Sequence, residues 1–193
     1  ISTATGGSCS TSCSTLFYME STPDNQKPDT LNDIGVLKRR EIEARIVAPL
    51  IERFAEEFGA DRVTDLARET VVEVARSQGA VLAEMMGGND LAKFADSMEN
   101  WTKGGALKIE VQEQSDTTFA FNVVQCQYAE MYRSLDIAEL GALLSCNRDG
   151  TMVEGFNPNI KFERNQTIMS GASHCDFRYS LDPSEVPVDL EGS

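Results

Sequence analysis

The apolar positions in the first half of the chain repeat with the period of a helix. After Val36, large apolar side chains recur every four residues, at Ile42, Ile46, Leu50, Phe54 and Phe58. Two further apolar residues, Val47 and Ile51, each directly follow a member of this series. This spacing predicts an amphipathic helix that ends at Gly59. A second helix, with Asp61 as its candidate cap, is predicted to continue to the glycines at 87–88. A third is predicted to start at Asn89 or Asp90.

After residue 105 the period of the apolar positions falls to two, as in a half-buried strand. Residues 107–126 predict a β-hairpin that turns at 115–116. The remaining predicted elements are short helices at 128–135 and 137–144 and a closing hairpin at 160–169 and 173–179. This order predicts an α+β fold, in which N-terminal helices pack on an antiparallel sheet made of two hairpins separated by a helical pair.

The length of the chain limits its domain organisation. At 193 residues it is long enough for one domain with a proper core and too short for two of ordinary size. The start of the chain is rich in Ser, Thr, Gly and Cys and has no helical or strand period. We therefore predict a flexible leader at 1–33, a single domain at 34–180 and a solvated acidic tail at 181–193.

Charge narrows the class of partner. Acidic side chains outnumber basic ones by 31 to 17, which gives a formal charge of −14. Such a surface repels phosphate backbones and anionic membranes. No apolar run approaches the roughly 20 residues that a membrane span requires, and the chain does not start with a signal-peptide pattern. These features predict a cytoplasmic protein with neither nucleic acid nor a membrane as partner.

Reactive side chains concentrate in three short segments, 126–133, 145–158 and 173–179. Each segment contains one cysteine, at least one acid and at least one arginine. If the segments converge, they form a pocket beside loops that rigid elements hold in place. The candidate catalytic residues of this pocket are Cys146, Cys175, Glu130, Asp149 and His174.

Two chemistries fit such a pocket. A thiolate beside a base would attack an electrophilic carbon, although only about a few per cent of an unperturbed thiol is ionised at pH 7. Alternatively, the pocket would hold zinc through ligands that lack the usual spacing of zinc sites: Cys126, Cys146 and Cys175, with Glu130 or His174. Each cysteine taken alone also fits a buried core position, since cysteine is among the most buried residue types.

In the last segment, strand geometry separates the only histidine of the chain from the cysteine beside it. Successive side chains alternate between the two faces of a strand, so Cys175 points with Phe177. His174 then points with Asp176 and Arg178. A regular strand therefore does not pair His174 directly with Cys175 as base and nucleophile.

Three stretches of the sequence resemble the L-2-amino-thiazoline-4-carboxylic acid hydrolase family. They are "GVLKRREIEARIVAPLIERFAEEFG", "GGNDLAKF" and "YAEMYRSLDIAELGALLSCNRDGTMVEGFNPNIKFERNQTIMSGASHCDFRY". The resemblance extends from about residue 34 to 180 and leaves out the leader with Cys9 and Cys13. A weaker similarity links the ending G-x-S-H-C-D-F to small-molecule-binding domains of the 4-vinyl reductase type. Some sensor domains of that type bind zinc through cysteines and a glutamate. This similarity therefore implies that Cys146, Cys175 and Glu130 could bind zinc here.

The stronger resemblance implies a hydrolase that acts on a non-peptide C–N or C–S bond of a small-molecule substrate. Water or a thiolate would attack the amidine carbon of a heterocyclic amino-acid derivative, and the ring would open to a carbamoyl cysteine. The amidine would need a carboxylate and the substrate's own carboxylate a bidentate cation. The candidate substrate-binding residues are Arg133, Asn147, Arg148, Asp176 and Arg178.

Two other functions stay open at the level of sequence. One is a non-catalytic, sensor-like domain that binds a small molecule and carries a structural metal held by cysteines. The other is an interaction module that forms a homodimer through its apolar helix face. Ligand would stabilise the first without being consumed.

Overall fold

The structure is a computed structural model that describes residues 31–186. After a short 3-10 helix, Leu31–Ile34, the helices and strands follow in this order: α1 Val36–Phe58, α2 Ala60–Met86, α3 Leu91–Asp96, α4 Glu99–Thr102, β1 Leu107–Gln114, β2 Thr118–Cys126, α5 Gln127–Ser134, α6 Ala138–Leu144, α7 Asp149–Phe156, β3 Lys161–Glu163 and β4 Cys175–Ser180. The predicted α+β fold is confirmed.

The first two helices end at the glycines that the sequence predicted as their ends. Gly59 (φ 91°) separates α1 from α2, and Gly87 (φ 67°) follows α2 in a left-handed conformation that favours glycine. Gly59 also occupies the N-cap position of α2, so the predicted capping role of Asp61 is wrong. Asp90 caps α3 by accepting a hydrogen bond from the backbone N–H of Lys93 at 2.8 Å.

The strands form one antiparallel sheet in the order β1-β2-β4-β3. The predicted hairpin at 107–126 is confirmed. The second hairpin differs from the prediction, because only 161–163 of its first arm is strand. The carboxylate of Asp176 accepts the backbone N–H groups of Asn165 and Gln166 at 3.0 and 2.8 Å, which pulls this segment out of the strand ladder.

Helix α7 lies in a segment for which the sequence predicted neither a helix nor a strand. Two of its residues, Gly150 and Gly155, are poor helix formers. Tertiary packing compensates for this low helix propensity, because the backbones of α7 and α2 come into direct contact. A Cβ on Gly155 would lie 1.9 Å from the carbonyl oxygen of Arg76, and a Cβ on Gly79 would lie 2.0 Å from that of Met152. The two glycines let the helix backbones touch.

The sheet packs against α2, α3 and α7 through an aromatic core. Phe94 of α3 lies 4.9 Å from Tyr179 of β4 and 5.2 Å from Phe156 of α7, measured between ring centroids. Phe121 of β2 stacks on Phe177 of β4 at 5.0 Å. These contacts fix the positions of β2, β4 and α7, the three elements that carry the site described below.

Helix α1 turns small and basic side chains toward the protein interior. Its buried residues are Val36, Arg40, Ala44 and Ala48. The large apolar stripe at four-residue spacing, from Ile42 to Phe58, is instead 47–67% exposed. The helix is amphipathic as predicted, but this stripe is not part of the core.

Some predictions concern residues outside the described range 31–186. These are most of the leader, with Cys9 and Cys13, and the tail from residue 187 onward. Among the described helices, none is long and apolar enough to cross a membrane.

Candidate active site

A cavity of about 70 Å³ lies between α1, the start of α7, the sheet and the loop after β3. Three cysteines reach it from different elements: Cys126 from the end of β2, Cys146 from the turn before α7, and Cys175 from the start of β4. Asp149 and Arg148 also line it. The structure therefore brings together five of the residues that the sequence singled out, one or more from each of the three segments.

An ion pair crosses the cavity wall. Asp149, the first residue of α7, binds Nη1 of Arg164 through its Oδ2. Nη2 of Arg164 donates to the carbonyl oxygen of Cys146 at 3.2 Å. The guanidinium also lies over the rings of Phe162 and Phe177, at 5.7 and 5.3 Å from their centroids. Arg164 is therefore held on several sides, and it fixes one oxygen of Asp149.

Burial raises the pKa of Asp149 to about 6. The neighbouring guanidinium of Arg164, with those of Arg148 and Arg40, lowers it, but the loss of hydration is the larger effect. A carboxylate with this pKa is mostly ionised at pH 7 and is a stronger base than an ordinary aspartate. This is the range in which general bases work best near neutral pH.

The pKa values of the three thiols are shifted upward, so that the unreactive neutral form predominates. Burial raises the pKa of Cys126 to about 11 and that of Cys146 to about 12, and it also raises the pKa of Cys175. Two of the sulfur atoms accept backbone hydrogen bonds: Cys126 Sγ from Ala129 at 3.4 Å and Cys175 Sγ from Ile168 at 3.2 Å. At pH 7 the cavity therefore has neutral thiols in its wall.

Alkylation tests this conclusion. A thiol with a pKa of about 11 is ionised in roughly one molecule in a thousand at pH 8. We expect Cys126 and Cys146 to react with iodoacetamide at least about a hundredfold more slowly in the folded protein than in denaturant at that pH. Peptide mass spectrometry resolves the five cysteines. Equal rates in the folded and denatured protein would contradict the raised pKa values.

Two further arginines line the cavity. Arg148 is only 7% exposed, and its Nη2 donates to Oε1 of Gln78 at 2.6 Å. Its buried Nε has no hydrogen-bond partner among the residues that the structure describes. Burial lowers the pKa of Arg148 to about 10, so it is still charged at pH 7. Arg40 of α1 is 3% exposed and binds the carboxylate of Glu43.

The cavity wall consequently contains three arginines and one acid. Arg40, Arg148 and Arg164 face Asp149, the one acidic side chain among the described lining residues. Arg164 is paired with Asp149 and Arg40 with Glu43, whereas Arg148 has no carboxylate partner among the described residues. Buried charges are stable when they are paired, so Arg148 favours a ligand that brings a negative charge.

Arg40 and Arg164 were not among the site residues predicted from the sequence. Arg40 shares the four-residue spacing of Val36, Ala44 and Ala48, which is the signal for a core-facing position. Arg164 lies two residues after Phe162, on the same side of an extended chain. Both signals exist in the sequence, but neither separates a buried arginine from an ordinary surface one.

Glu130 and Arg133 lie outside the cavity although they were candidates. Both side chains are exposed on α5. Glu130 lines a separate surface depression beside Lys38 and Lys103. Arg133 donates to the carbonyl oxygen of Ile168.

The candidates next to Cys175 hold the local structure together and do not line the cavity. The ring of His174 contacts the side-chain amide of Gln166 at 2.9 Å. Asp176 accepts the backbone N–H groups of the loop after β3, as described above. Arg178 donates to the carbonyl oxygen of Phe121 at 2.8 Å. The predicted separation of His174 from Cys175 holds, since only Cys175 lines the cavity.

Asn147 is half-buried beside the cavity but is not one of its lining residues. Within the described residues, its buried Nδ2 has no hydrogen-bond partner.

The predicted zinc ligands do not form a metal site. Within residues 31–186, no group of three or more His, Cys, Asp or Glu side chains is arranged to hold a metal ion. Glu130 is exposed on α5, outside the cavity that the three cysteines line. The residues present therefore do not fit a zinc ion.

Comparison with known families adds to this geometry. One family matches the chain over residues 39–179: L-2-amino-thiazoline-4-carboxylic acid hydrolase. The chain belongs to this family. The matched range contains the three arginines, the three cysteines and the aspartate that line the cavity. The family resemblance predicted from the sequence is confirmed.

Solved structures and curated proteins add little to the family match. The phenol-responsive sensory domain of the transcription activator PoxR, solved with phenol, is 11% identical with a TM-score of 0.46, over 70% of this chain and 72% of that one. A trafficking protein particle complex subunit 3 from Naegleria fowleri, covalently bound to palmitic acid, is 10% identical with a TM-score of 0.46, over 75% of this chain and 96% of that one. No curated protein matches the chain.

Proposed function

We propose that this chain is a hydrolase that opens the ring of a small amidine-containing carboxylate, such as L-2-amino-thiazoline-4-carboxylate, to a carbamoyl cysteine. The proposal takes its substrate class from the family. Its main structural support is the cavity in which one half-buried carboxylate, Asp149, lies among three arginines. An amidine and a carboxylate on one small molecule complement these two kinds of charge.

The size of the cavity supports a small substrate. Its volume of about 70 Å³ is well below the range of roughly 300–1,000 Å³ typical of pockets for drug-sized ligands. A single five-membered ring with short substituents suits this space, with modest adjustment of the flexible Met152 and Met169 side chains in the wall.

The arginines orient the substrate. The unpartnered Nε of Arg148 is available to a carboxylate oxygen, and the buried Arg40, which is paired with Glu43, lines the same cavity. Charge-assisted hydrogen bonds of this kind are short and directional. With its carboxylate held there, the substrate presents its amidine to Asp149.

Asp149 acts as the base and then as the acid. It takes one proton from water while the water oxygen bonds to the amidine carbon, the ring carbon between sulfur and nitrogen. It returns that proton to sulfur as the C–S bond breaks. The second water proton stays with the product, on nitrogen, or leaves to solvent if the amidine entered already protonated. A carboxyl with a pKa of about 6 suits both transfers near neutral pH.

Water is a better nucleophile here than a cavity thiol. Burial raises the pKa of Cys146 to about 12, so about one thiol in 10⁵ is ionised at pH 7. In our proposal the thiols form a neutral wall that contacts the ring sulfur, and Asp149 carries the proton transfers.

The pH dependence of turnover tests the role of Asp149. The active form is the carboxylate, whose pKa is raised to about 6. As the pH falls below 6 the carboxyl is protonated, so kcat/KM should drop about tenfold per pH unit, and above 6 it should level off. Thiol release from L-2-amino-thiazoline-4-carboxylate gives the rate, and circular dichroism at each pH checks the fold. A flat profile between about pH 4.5 and 7 would exclude Asp149 as the base.

A further inference from the structure

Exposed apolar side chains concentrate on the first two helices. Within the described residues, eleven large hydrophobic side chains are exposed, and nine of them belong to α1 and α2. The other two are Ile34 and Val111. A single exposed apolar residue is ordinary, but nine on two adjacent helices need a physical explanation.

These helices also enclose an apolar groove. Its volume is about 530 Å³, and its walls include Phe54 and Phe58 of α1 with Leu66 and Val74 of α2. Tyr132 and Leu144 line it from below. We call this surface, together with the exposed apolar residues along α1 and α2, the α1–α2 face. No part of residues 31–186 fills the groove.

We propose that a second copy of this chain covers the α1–α2 face and that the protein is a homodimer through it. The apolar area fits this occupant. Burial of one such side chain removes roughly 100 Å², so the nine half-exposed side chains, four of which line the groove, offer at most roughly 450 Å² per copy. A standard interface buries about 800 Å² per partner, of which about 57% is apolar, and that apolar part is also about 450 Å².

The distribution of charge also favours self-association at this face. Residues 36–86 contain eight Lys and Arg and ten Asp and Glu, a net charge of −2. The whole chain has a net charge of −14, so −12 belongs to the rest. Two copies would repel each other through most surfaces, but not through α1 and α2. There acids and bases are nearly equal in number, so that the acids of one copy can face the bases of the other around a two-fold axis.

Exposed ion pairs flank the apolar surface on both helices. Arg53 contacts Glu56 at 2.7 Å on α1, and Arg68 contacts Asp65 at 2.5 Å on α2. A polar rim around an apolar centre is the usual composition of a protein–protein interface. The proposal does not depend on the proposed hydrolysis, although Arg148 lines both the groove and the active-site cavity.

Light scattering on the purified full chain tests the proposal. The wild-type protein should have about twice the mass of one 21.2 kDa chain at micromolar concentration. Phe54→Glu with Val74→Glu should weaken the dimer by roughly a hundredfold or more, because four carboxylates per dimer would lose water without gaining partners. Both side chains are about half exposed, at 47% and 43%, so the monomer should still fold, as circular dichroism would show.

Val111→Glu is the matched control. Val111 is 50% exposed on β1, outside the α1–α2 face, so the same kind of change should leave the dimer intact. A monomeric wild-type protein would overturn the proposal, including one that carries a bound apolar molecule in the groove. So would a dimer that survives Phe54→Glu and Val74→Glu, or one that Val111→Glu dissociates. If the double variant does not fold, Leu66→Gln gives the same comparison with a milder change.

Discussion

Replacement of Asp149 by Asn is expected to lower kcat/KM for ring opening by about 10²–10⁴, the usual contribution of a positioned general base or acid. Asn has nearly the same shape, so Arg164 and the start of α7 keep most of their contacts. The side-chain amide of Asn cannot accept a proton from water or return one to sulfur. The loss should appear mainly in kcat, and the acid limb of the pH profile should disappear with it.

Glu130→Gln is the matched comparison. Glu130 was the other carboxylate that the sequence assigned to catalysis, but it is exposed on α5 and does not line the cavity. The same loss of charge there should leave the rate within about twofold of wild type. If Glu130→Gln abolishes turnover and Asp149→Asn does not, the catalytic carboxylate has been assigned to the wrong place.

Gly155→Ala should be the most destabilising small substitution in the domain. The new Cβ would lie 1.9 Å from the carbonyl oxygen of Arg76, a backbone atom that no side-chain rotation can move away. Helix α7 would have to separate from α2, at a cost of about 3 kcal/mol, the upper end for overpacked sites. For a chain of this size that corresponds to a fall in Tm of roughly 6–12 °C. Because Asp149 begins α7, turnover should fall as well.

Gly150→Ala in the same helix separates this clash from helix propensity. Its Cβ would meet only the ring of Phe162, at 3.0 Å, and that side chain can shift. The change in free energy of unfolding should stay within about 1 kcal/mol. Gly79→Ala, whose Cβ would lie 2.0 Å from the carbonyl oxygen of Met152, should behave like Gly155→Ala. Thermal unfolding of the three variants tests this, and a wild-type Tm for Gly155→Ala would contradict the close helix contact.

The two long helices could be predicted because their signals are local. The apolar period and the glycines at 59 and 87 depend only on nearby residues, and these glycines adopt the positive φ angles that favour glycine. Helix α7 could not be predicted in this way. Its glycines argue against a helix by propensity, and only contact with α2, about 75 residues away in sequence, makes them favourable.

The site could be predicted only in part, for a similar reason. Cysteine, arginine and aspartate next to turns marked three segments, and one residue or more from each reaches the cavity. Sequence does not reveal which polar side chains are already used by the backbone. Asp176 bonds to two N–H groups of the loop after β3, and Arg178 bonds to the carbonyl oxygen of Phe121 across the β2–β4 pair. Both interactions depend on strand register and loop geometry.

Faces of helices are also difficult to assign from sequence. The period of α1 was correct, but its large apolar stripe is exposed, and Arg40 lies in the interior. Periodicity identifies an apolar face without saying whether the domain itself or a second molecule covers it.

The most direct test of the central proposal is to incubate the purified chain with L-2-amino-thiazoline-4-carboxylate and follow substrate, free thiol and product mass together. We predict that one thiol appears for each substrate consumed, that the product is heavier than the substrate by one water, and that Asp149→Asn stops both. If the compound raises the Tm of the protein but is not consumed, the cavity is a binding site and the hydrolase proposal is wrong.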